Sequence, residues 1–199
     1  MIAHPTAPPG PSSTGGIALE TALKMCNEFQ NIVGWKMTYR LENYLKIGRG
    51  LRTLDHHVGI LGASAGFFQE FLENGLFDGS VSGCWNYAME PMVDYLEAWK
   101  SGDKETAARL WPGLQKLHNF VREDKSHHHL KYKIATWLRG LIPSPYMRPP
   151  MPRPEREETL ILRDLLKNLG LNVISDEEIE AGLRNLPERP RRSRTTVLA

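Results

Sequence analysis

The apolar and polar positions of the first hundred residues alternate between two periods. Three short apolar runs rich in strand-forming residues each predict a β-strand: 31–38, 57–64 and 79–84. Four stretches with helical spacing lie around them: 17–29, 40–51, 65–76 and 90–103. Strand and helix follow each other about every 20 residues, which predicts a parallel sheet covered by helices.

Beyond residue 103 the chain reads as helical. Three further stretches predict helices: 104–124, 128–141 and 154–171. A proline-rich connector separates the last two. The apolar period weakens from residue 172 onward, so residues 172–199 are expected to form a basic, disordered tail. The prolines and glycines of residues 1–16 predict a flexible loop, with a remnant of a further strand at "MIAH".

Lys36 interrupts the first apolar run, "NIVGWKMTY". A strand lysine usually lies at an edge or extends its amine to water. Here both alternating faces of the run are apolar, so we also consider a largely buried lysine near the end of its strand. Burial lowers the pKa of an amine, and a neutral amine can attack a carbonyl to form a Schiff base. The spacing alone leaves both interpretations open.

Four segments in order resemble the dihydrodipicolinate synthase and N-acetylneuraminate lyase family, over residues 1–173. "NIVGWKMTYRLENYLKI" resembles its sixth strand, with Lys36 at the Schiff-base lysine. "ILGAS" resembles the end of its seventh strand, with Gly62 at the glycine. "LFDGSVSGCWNYAMEPMVDYLEAWKSGDKETAARL" resembles the eighth strand and its helix, with Val81 and Ser82 beside the pocket. "LIPSPYMRPPMPRPEREETLILRDLLKNLGL" resembles the C-terminal segment.

The resemblance implies an α/β fold: a partial (β/α)8 barrel, about strands six to eight, with a C-terminal helical extension. Residues 1–16 then form the loop of the strand-five region, 17–103 half of the barrel, 104–171 the helical extension and 172–199 the tail. The chain is expected to be a truncated C-terminal portion of a family member.

The implied function is that of a lyase, a class I aldolase or dehydratase. Lys36 would form an imine with a 2-oxo acid such as pyruvate, and Gly62, Val81 and Ser82 would line the substrate pocket. No metal or organic cofactor is implied, and the expected partners are a small 2-oxo acid and further copies of the chain. The alternative is a non-catalytic packing or oligomerisation module that retains the second half of the barrel.

Several family features are missing from the sequence. The G-T-T-G-E loop that binds the substrate carboxylate is absent, and so is the proton-relaying tyrosine near strand five, where His4 is a candidate substitute. Ser13 stands near the place of an arginine found in dihydrodipicolinate synthases, and Met37 where many members have glutamate. The chain alone is therefore expected to be a poor enzyme that self-associates.

Composition adds few constraints. The 199 residues are 41% hydrophobic, enough for a core, and the net charge of +2 implies neither a nucleic-acid nor a membrane partner. Cys26 and Cys84 form no disulfide framework and the N-terminus does not resemble a signal peptide, so we expect a cytoplasmic protein. The histidines of 127–129 are interpreted as a solvated helix start rather than a metal site, and the C-terminal arginines as a solvated tail.

Overall fold

The computed structural model describes residues 1–5, 17–124 and 126–187. The elements in this part of the chain follow in the order β1 (Ile2–Ala3), α1 (Leu19–Glu28), β2 (Gly34–Met37), α2 (Leu41–Leu51), β3 (Gly59–Gly62), a 3-10 turn (Ala65–Phe67), α3 (Phe68–Glu73), β4 (Gly79–Ser80), a second 3-10 turn (Gly83–Asn86), α4 (Met89–Ser101), α5 (Lys104–Glu123), α6 (His128–Leu138), α7 (Arg156–Asn168) and α8 (Asp176–Arg184). They form two compact units, residues 1–119 and 120–199, and the division falls within α5.

The first unit is built on a parallel sheet with strand order β1-β2-β3-β4. Its register pairs Ile2 with Gly34, Lys36 with Leu61, and Leu61 with Gly79. Because strands that follow one another in sequence are neighbours and run in the same direction, their carboxyl ends meet at one edge of the sheet. The α/β fold with a parallel sheet confirms the sequence prediction.

The two faces of this sheet have different surroundings. Side chains alternate between the faces, so Trp35, Met37 and Ile60 share one of them, and all three are fully buried. The other face carries Ile2, Lys36, Leu61 and, beyond β4, Val81. Its described residues are only partly covered, with Ile2 55% exposed. We call it the open face.

Glycines shape the open face. A Cβ at Gly34 would lie 3.2 Å from Ile2 Cγ1, and a Cβ at Gly79 would lie 3.2 Å from Leu61 Cδ2. The missing side chains let Ile2 and Leu61 lie across the neighbouring strands. The apolar surface beside Lys36 is therefore made by residues of β1 and β3.

Helices α2 and α3 pack through aromatic rings. Tyr44 and Phe71 stack with ring centroids 3.5 Å apart, and the Tyr44 hydroxyl donates a hydrogen bond of 2.7 Å to the Leu76 carbonyl. Burial raises the pKa of Tyr44 far above its usual range. This contact fixes the connection between β3 and β4, because Leu76 lies in the segment that leads into β4.

The second unit holds α6, α7 and α8. Lys131 of α6 is buried, and its Nζ lies 3.2 Å from Glu158 Oε1 of α7 and donates a 2.9 Å hydrogen bond to the Phe120 carbonyl. A capping box begins α8, in which the Ser175 side chain accepts from the Glu178 backbone N–H and the Glu178 carboxylate accepts from that of Ser175.

Two sequence predictions need correction. The run 79–84 predicted a strand throughout, but β4 has two residues and the backbone then turns into a 3-10 turn. Residues 176–184 form α8, which the weak apolar period after residue 171 did not predict. The compact units divide at residue 119, within α5, and the domain boundary expected at residue 103 stays a prediction. Residues 6–16 of the proposed N-terminal loop and residues 188–199 of the proposed basic tail lie outside the described residues.

None of the helices in the described part of the chain is long and apolar enough to cross a membrane.

Candidate functional site

Lys36 lies near the carboxyl end of β2, as the third of its four residues. Its exposure is intermediate, so its side chain is partly covered, and the expected burial of its amine stays a prediction. Lys36 points to the open face, whereas Trp35 and Met37 point to the face that is fully buried. Its amine is therefore accessible to a small molecule, while the strand beneath it is held by the core.

His4 lies beside Lys36. The pairing of Ala3 with Trp35 places the next residue of the first strand alongside the next residue of β2. His4 Nε2 is 3.3 Å from Thr38 Oγ1, and Thr38 shares the face of Lys36 because it is two residues further along. An amine, an imidazole and a hydroxyl thus lie together at one edge of the sheet.

The electrostatics of His4 agree with this placement. Partial burial and, secondly, the positive charge of Lys36 lower the pKa of His4 below its ordinary value. The imidazole is therefore neutral over more of the range around pH 7 than a free histidine, and a neutral imidazole can accept a proton.

A chain of hydrogen bonds fixes the backbone after His4. Trp35 Nε1 donates to the Tyr39 hydroxyl at 3.1 Å, and that hydroxyl donates to the Pro5 carbonyl at 3.1 Å. Trp35 and Tyr39 are both buried, on the covered face of the sheet. Burial raises the pKa of Tyr39, and the hydrogen bond from Trp35 opposes part of that rise. The segment carrying His4 is therefore held from the core side.

The other residues expected in the pocket divide between the two faces. Val81 directly follows β4, is 42% exposed, and its N–H donates to the Gly62 carbonyl at 3.0 Å. Gly62 pairs with Met37, so a Cβ there would point to the covered face, 2.9 Å from a ring atom of Phe77. Ser82 follows Val81, half-buried and extended. Val81 is thus the one whose position continues the face of Lys36.

Gly62 has a role in the backbone of this edge. Its carbonyl also accepts a 3.0 Å hydrogen bond from Ser80 Oγ, which in turn accepts one of 2.9 Å from Trp85 Nε1. These bonds hold the turn after β4 against the end of β3. The assignment of Gly62 and Ser82 as pocket residues remains a prediction.

Sequence reasoning missed Thr38 and Tyr39 as residues of this site. Thr38 stands two positions after Lys36, which is the spacing that shares a strand face, so that signal was present. The role of Tyr39 has no local signal, because its partner Pro5 lies 34 residues away in sequence.

No group of three or more metal-binding side chains is found among residues 1–5, 17–124 and 126–187. The rings of His128 and His129 lie 3.8 Å apart at the start of α6. Burial and the neighbouring charge of His128 lower the pKa of His129.

Comparison with known proteins decides the family. A sequence model of the dihydrodipicolinate synthetase family matches residues 10–169. The chain belongs to this family. The match includes Lys36 and Thr38 and begins after His4 and β1.

Two curated proteins are similar to this chain in sequence. The 4-hydroxy-tetrahydrodipicolinate synthase of Methanopyrus kandleri is 32% identical over 166 residues, which are 81% of this chain and 52% of the relative. An uncharacterised DapA-like lyase of Pyrococcus horikoshii is 28% identical over 145 residues, which are 70% of this chain and 48% of the relative. The chain thus spans about half the length of the curated relatives it matches.

Solved structures of the same family share the fold. The dihydrodipicolinate synthase of Aquifex aeolicus matches with a TM-score of 0.70 at 22% identity, covering 87% of this chain and 56% of that one. The prophage protein YagE of E. coli K12, solved in complex with pyruvate, matches with a TM-score of 0.68 at 22% identity, covering 78% and 52%.

Proposed function

We propose that this chain carries the imine-forming part of a lyase that acts on a 2-oxo acid. In this proposal Lys36 attacks the ketone carbon and the nitrogen of the resulting imine draws electrons from the adjacent bonds. A C–C or C–O bond next to the imine can then be made or broken. The reaction type is aldol cleavage or condensation, or dehydration.

One observation carries the proposal: the lysine of a family-matched segment lies at the carboxyl edge of a parallel sheet, with His4 and Thr38 beside it. Active sites of parallel (β/α) folds lie at this edge. An amine on the covered face, or at the amino edge of the sheet, would not reach a substrate bound at the carboxyl edge. The intermediate exposure of Lys36 permits both access and partial desolvation.

The substrate class follows from the relatives. YagE is solved with pyruvate, a 2-oxo acid, and the Methanopyrus kandleri relative is named a 4-hydroxy-tetrahydrodipicolinate synthase. We propose pyruvate or a similar 2-oxo acid for this chain, with Val81, Gly62 and Ser82 beside it and no metal or organic cofactor. The proposed place of action is the cytoplasm.

The proposed architecture is part of a (β/α)8 barrel, in which the open face is the inner face of the barrel wall. The partly exposed Ile2, Leu61 and Val81 on that face support this. The segment that matches covers about half the length of each curated relative. We therefore expect residues 1–199 alone to catalyse the overall lyase reaction only weakly.

The experiment follows the methyl protons of pyruvate by NMR in D2O. An imine makes the neighbouring C–H bonds acidic, so a functional Lys36 exchanges them for deuterium without the aldehyde partner. We expect exchange above the buffer rate for the wild type and its loss in Lys36→Met. Lys46→Met changes an exposed lysine of α2 in the same way and is expected to keep the exchange. Wild-type exchange at the buffer rate, or equal exchange in Lys36→Met, would contradict the proposal.

The open face favours a second candidate, an oligomerisation module in which another copy of this chain covers that face. Ile2 and Val81 are exposed apolar residues there, and β1 and β4 end the described sheet with unpaired edges. Light scattering is expected to give a multiple of the chain mass, and Ile2→Ser with Val81→Ser to reduce it. Leu141→Ser changes an exposed leucine of the second unit and is the control. A wild-type monomer would exclude this candidate.

A further inference from the structure

His4 is the titratable side chain that the structure places nearest in register to Lys36. It is exposed, so a small molecule bound at Lys36 can reach its ring. We propose that His4 is the acid–base catalyst of imine formation at Lys36, and that Thr38 and Tyr39 are its positioning residues. This inference rests on the proposed function and adds a second reacting group to it.

Two independent contacts fix the position of His4. On the side chain, Nε2 lies 3.3 Å from Thr38 Oγ1, which limits rotation of the ring over the end of β2. On the backbone, the next residue, Pro5, is held by the hydroxyl of buried Tyr39. A solvated surface histidine would have neither constraint. Both contacts join residues 34 apart in sequence, so they form only when β1 pairs with β2.

The electrostatic coupling between the two groups supports the same geometry. Lys36 acts on His4 strongly enough to lower its pKa, after burial as the larger cause. A positive charge at Lys36 opposes a second positive charge on His4, so it favours the neutral form of the His4 ring. A proton that leaves the Lys36 ammonium therefore has a neutral acceptor beside it.

Imine formation at Lys36 by the following route contains three proton transfers, and His4 can carry the first and the last. First the neutral imidazole takes a proton from the Lys36 ammonium, which leaves a neutral amine and an imidazolium. The amine then forms the C–N bond with the ketone carbon, and its proton passes to the carbonyl oxygen, which gives a carbinolamine. Finally the imidazolium returns its proton to the departing hydroxyl as the C–O bond breaks. The products are a protonated imine, water and neutral imidazole, so atoms and charge balance.

The contacts of His4 predict how each substitution should change the rate of imine formation. Loss of the imidazole removes both of the proton transfers assigned to His4. General acid–base catalysis raises the rate of such steps about 10²–10⁴-fold. Loss of the Tyr39 hydroxyl frees the Pro5 carbonyl but leaves the imidazole in the chain. A positioning residue should therefore slow the reaction less than His4 and keep its pH dependence.

The experiment measures the rate at which pyruvate becomes attached to Lys36. The full chain is mixed with pyruvate, quenched with borohydride after increasing times, and the reduced adduct on the Lys36 peptide is quantified by mass spectrometry. We expect His4→Gln to lower the initial rate at least about 100-fold, while long incubation reaches the wild-type level because Lys36 is intact. His57→Gln is the matched control, since His57 precedes β3 at the opposite edge of the sheet.

Two further readouts separate chemistry from structure. The wild-type rate should show a histidine inflection as the pH varies, which Tyr39→Phe keeps and His4→Gln loses. Added imidazole should restore much of the rate to His4→Ala, because the site is open, and should not accelerate His57→Gln.

The outcomes distinguish the two proposals. A wild-type chain that forms no adduct at Lys36 overturns the proposed function. A wild-type adduct that forms equally fast in His4→Gln, with the same pH dependence, overturns the role of His4 and leaves the proposed function standing. Slow adduct formation in His4→Ala that imidazole does not accelerate also contradicts direct acid–base catalysis.

Discussion

Removing the amine of Lys131 should destabilise the helical second unit strongly. Its side chain is only 4% exposed, and its Nζ faces Glu158, the Phe120 carbonyl and the Phe120 ring, whose centroid is 4.1 Å away. Lys131→Met keeps most of the apolar stem, so the change isolates the charge. Glu158 is 15% exposed, and its Oε2 has no hydrogen-bond partner among the described residues. The substitution therefore leaves that carboxylate largely buried without the ammonium of Lys131.

The expected loss is about 3 kcal/mol. Breaking a buried pair by removing one partner costs about 3–5 kcal/mol, and the residual exposure of Glu158 places this case at the lower end. His127 Nδ1 also lies near this carboxylate, 3.7 Å away. At a urea slope of about 2 kcal/mol per molar, the unfolding midpoint should fall by about 1.5 M.

Urea unfolding followed by far-ultraviolet circular dichroism measures this change, because the second unit is helical. Lys133→Met on the same helix is the control and should stay within about 0.5 kcal/mol. The double variant Lys131→Met with Glu158→Leu removes both charges and should recover most of the loss. A Lys131→Met midpoint equal to that of Lys133→Met, or a double variant no better than the single one, would refute the reasoning.

Two further changes test the packing. Burial acts to raise the pKa of Asp78, but hydrogen bonds from Arg52, at 2.7 and 2.8 Å, and from the Ile60 amide outweigh it and hold the pKa below its usual range. This stabilisation is therefore present above the unfolded-state pKa and is lost as the pH falls through the folded-state pKa. In urea unfolding, Asp78→Asn should lower the free energy of unfolding by about 1–2 kcal/mol at pH 7. Its free energy of unfolding should also depend less steeply on pH in the acid range than that of the wild type, and an unchanged dependence would contradict this account. Gly182→Ala should lower stability by about 1–3 kcal/mol in a thermal melt, because the new Cβ overlaps the Trp137 ring, whereas a gain would show that helix propensity outweighs the clash.

The sequence predicted the order of strands and helices well, because those elements follow from local apolar periods. Between residues 17 and 171 each predicted helix is present, with ends shifted by a few residues. The sequence did not predict α8, because Ile179 is its only fully buried side chain and the remaining positions show no apolar period. Its capping box, with Ser175 three residues before Glu178, was a readable signal.

The site was harder to predict because it depends on which face of the sheet is covered. The apolar run around Lys36 suggested burial on both faces, yet local sequence does not show whether a second layer lies over each face. Likewise nothing near Thr38 in the sequence indicates His4 as its neighbour, since their contact depends on the pairing of β1 with β2. The prediction of Lys36 itself came from the resemblance to a family motif.

The central claim is that Lys36, among all the amines of this chain, forms an imine with a 2-oxo acid. The direct measurement is to incubate the chain with pyruvate, reduce it to completion with borohydride, and map carboxyethyl-lysine over every peptide. The account predicts one dominant modified position, Lys36, with no change of pattern in Lys46→Met and loss of the adduct in Lys36→Met. An adduct spread evenly over the exposed lysines, or none at Lys36, would contradict it.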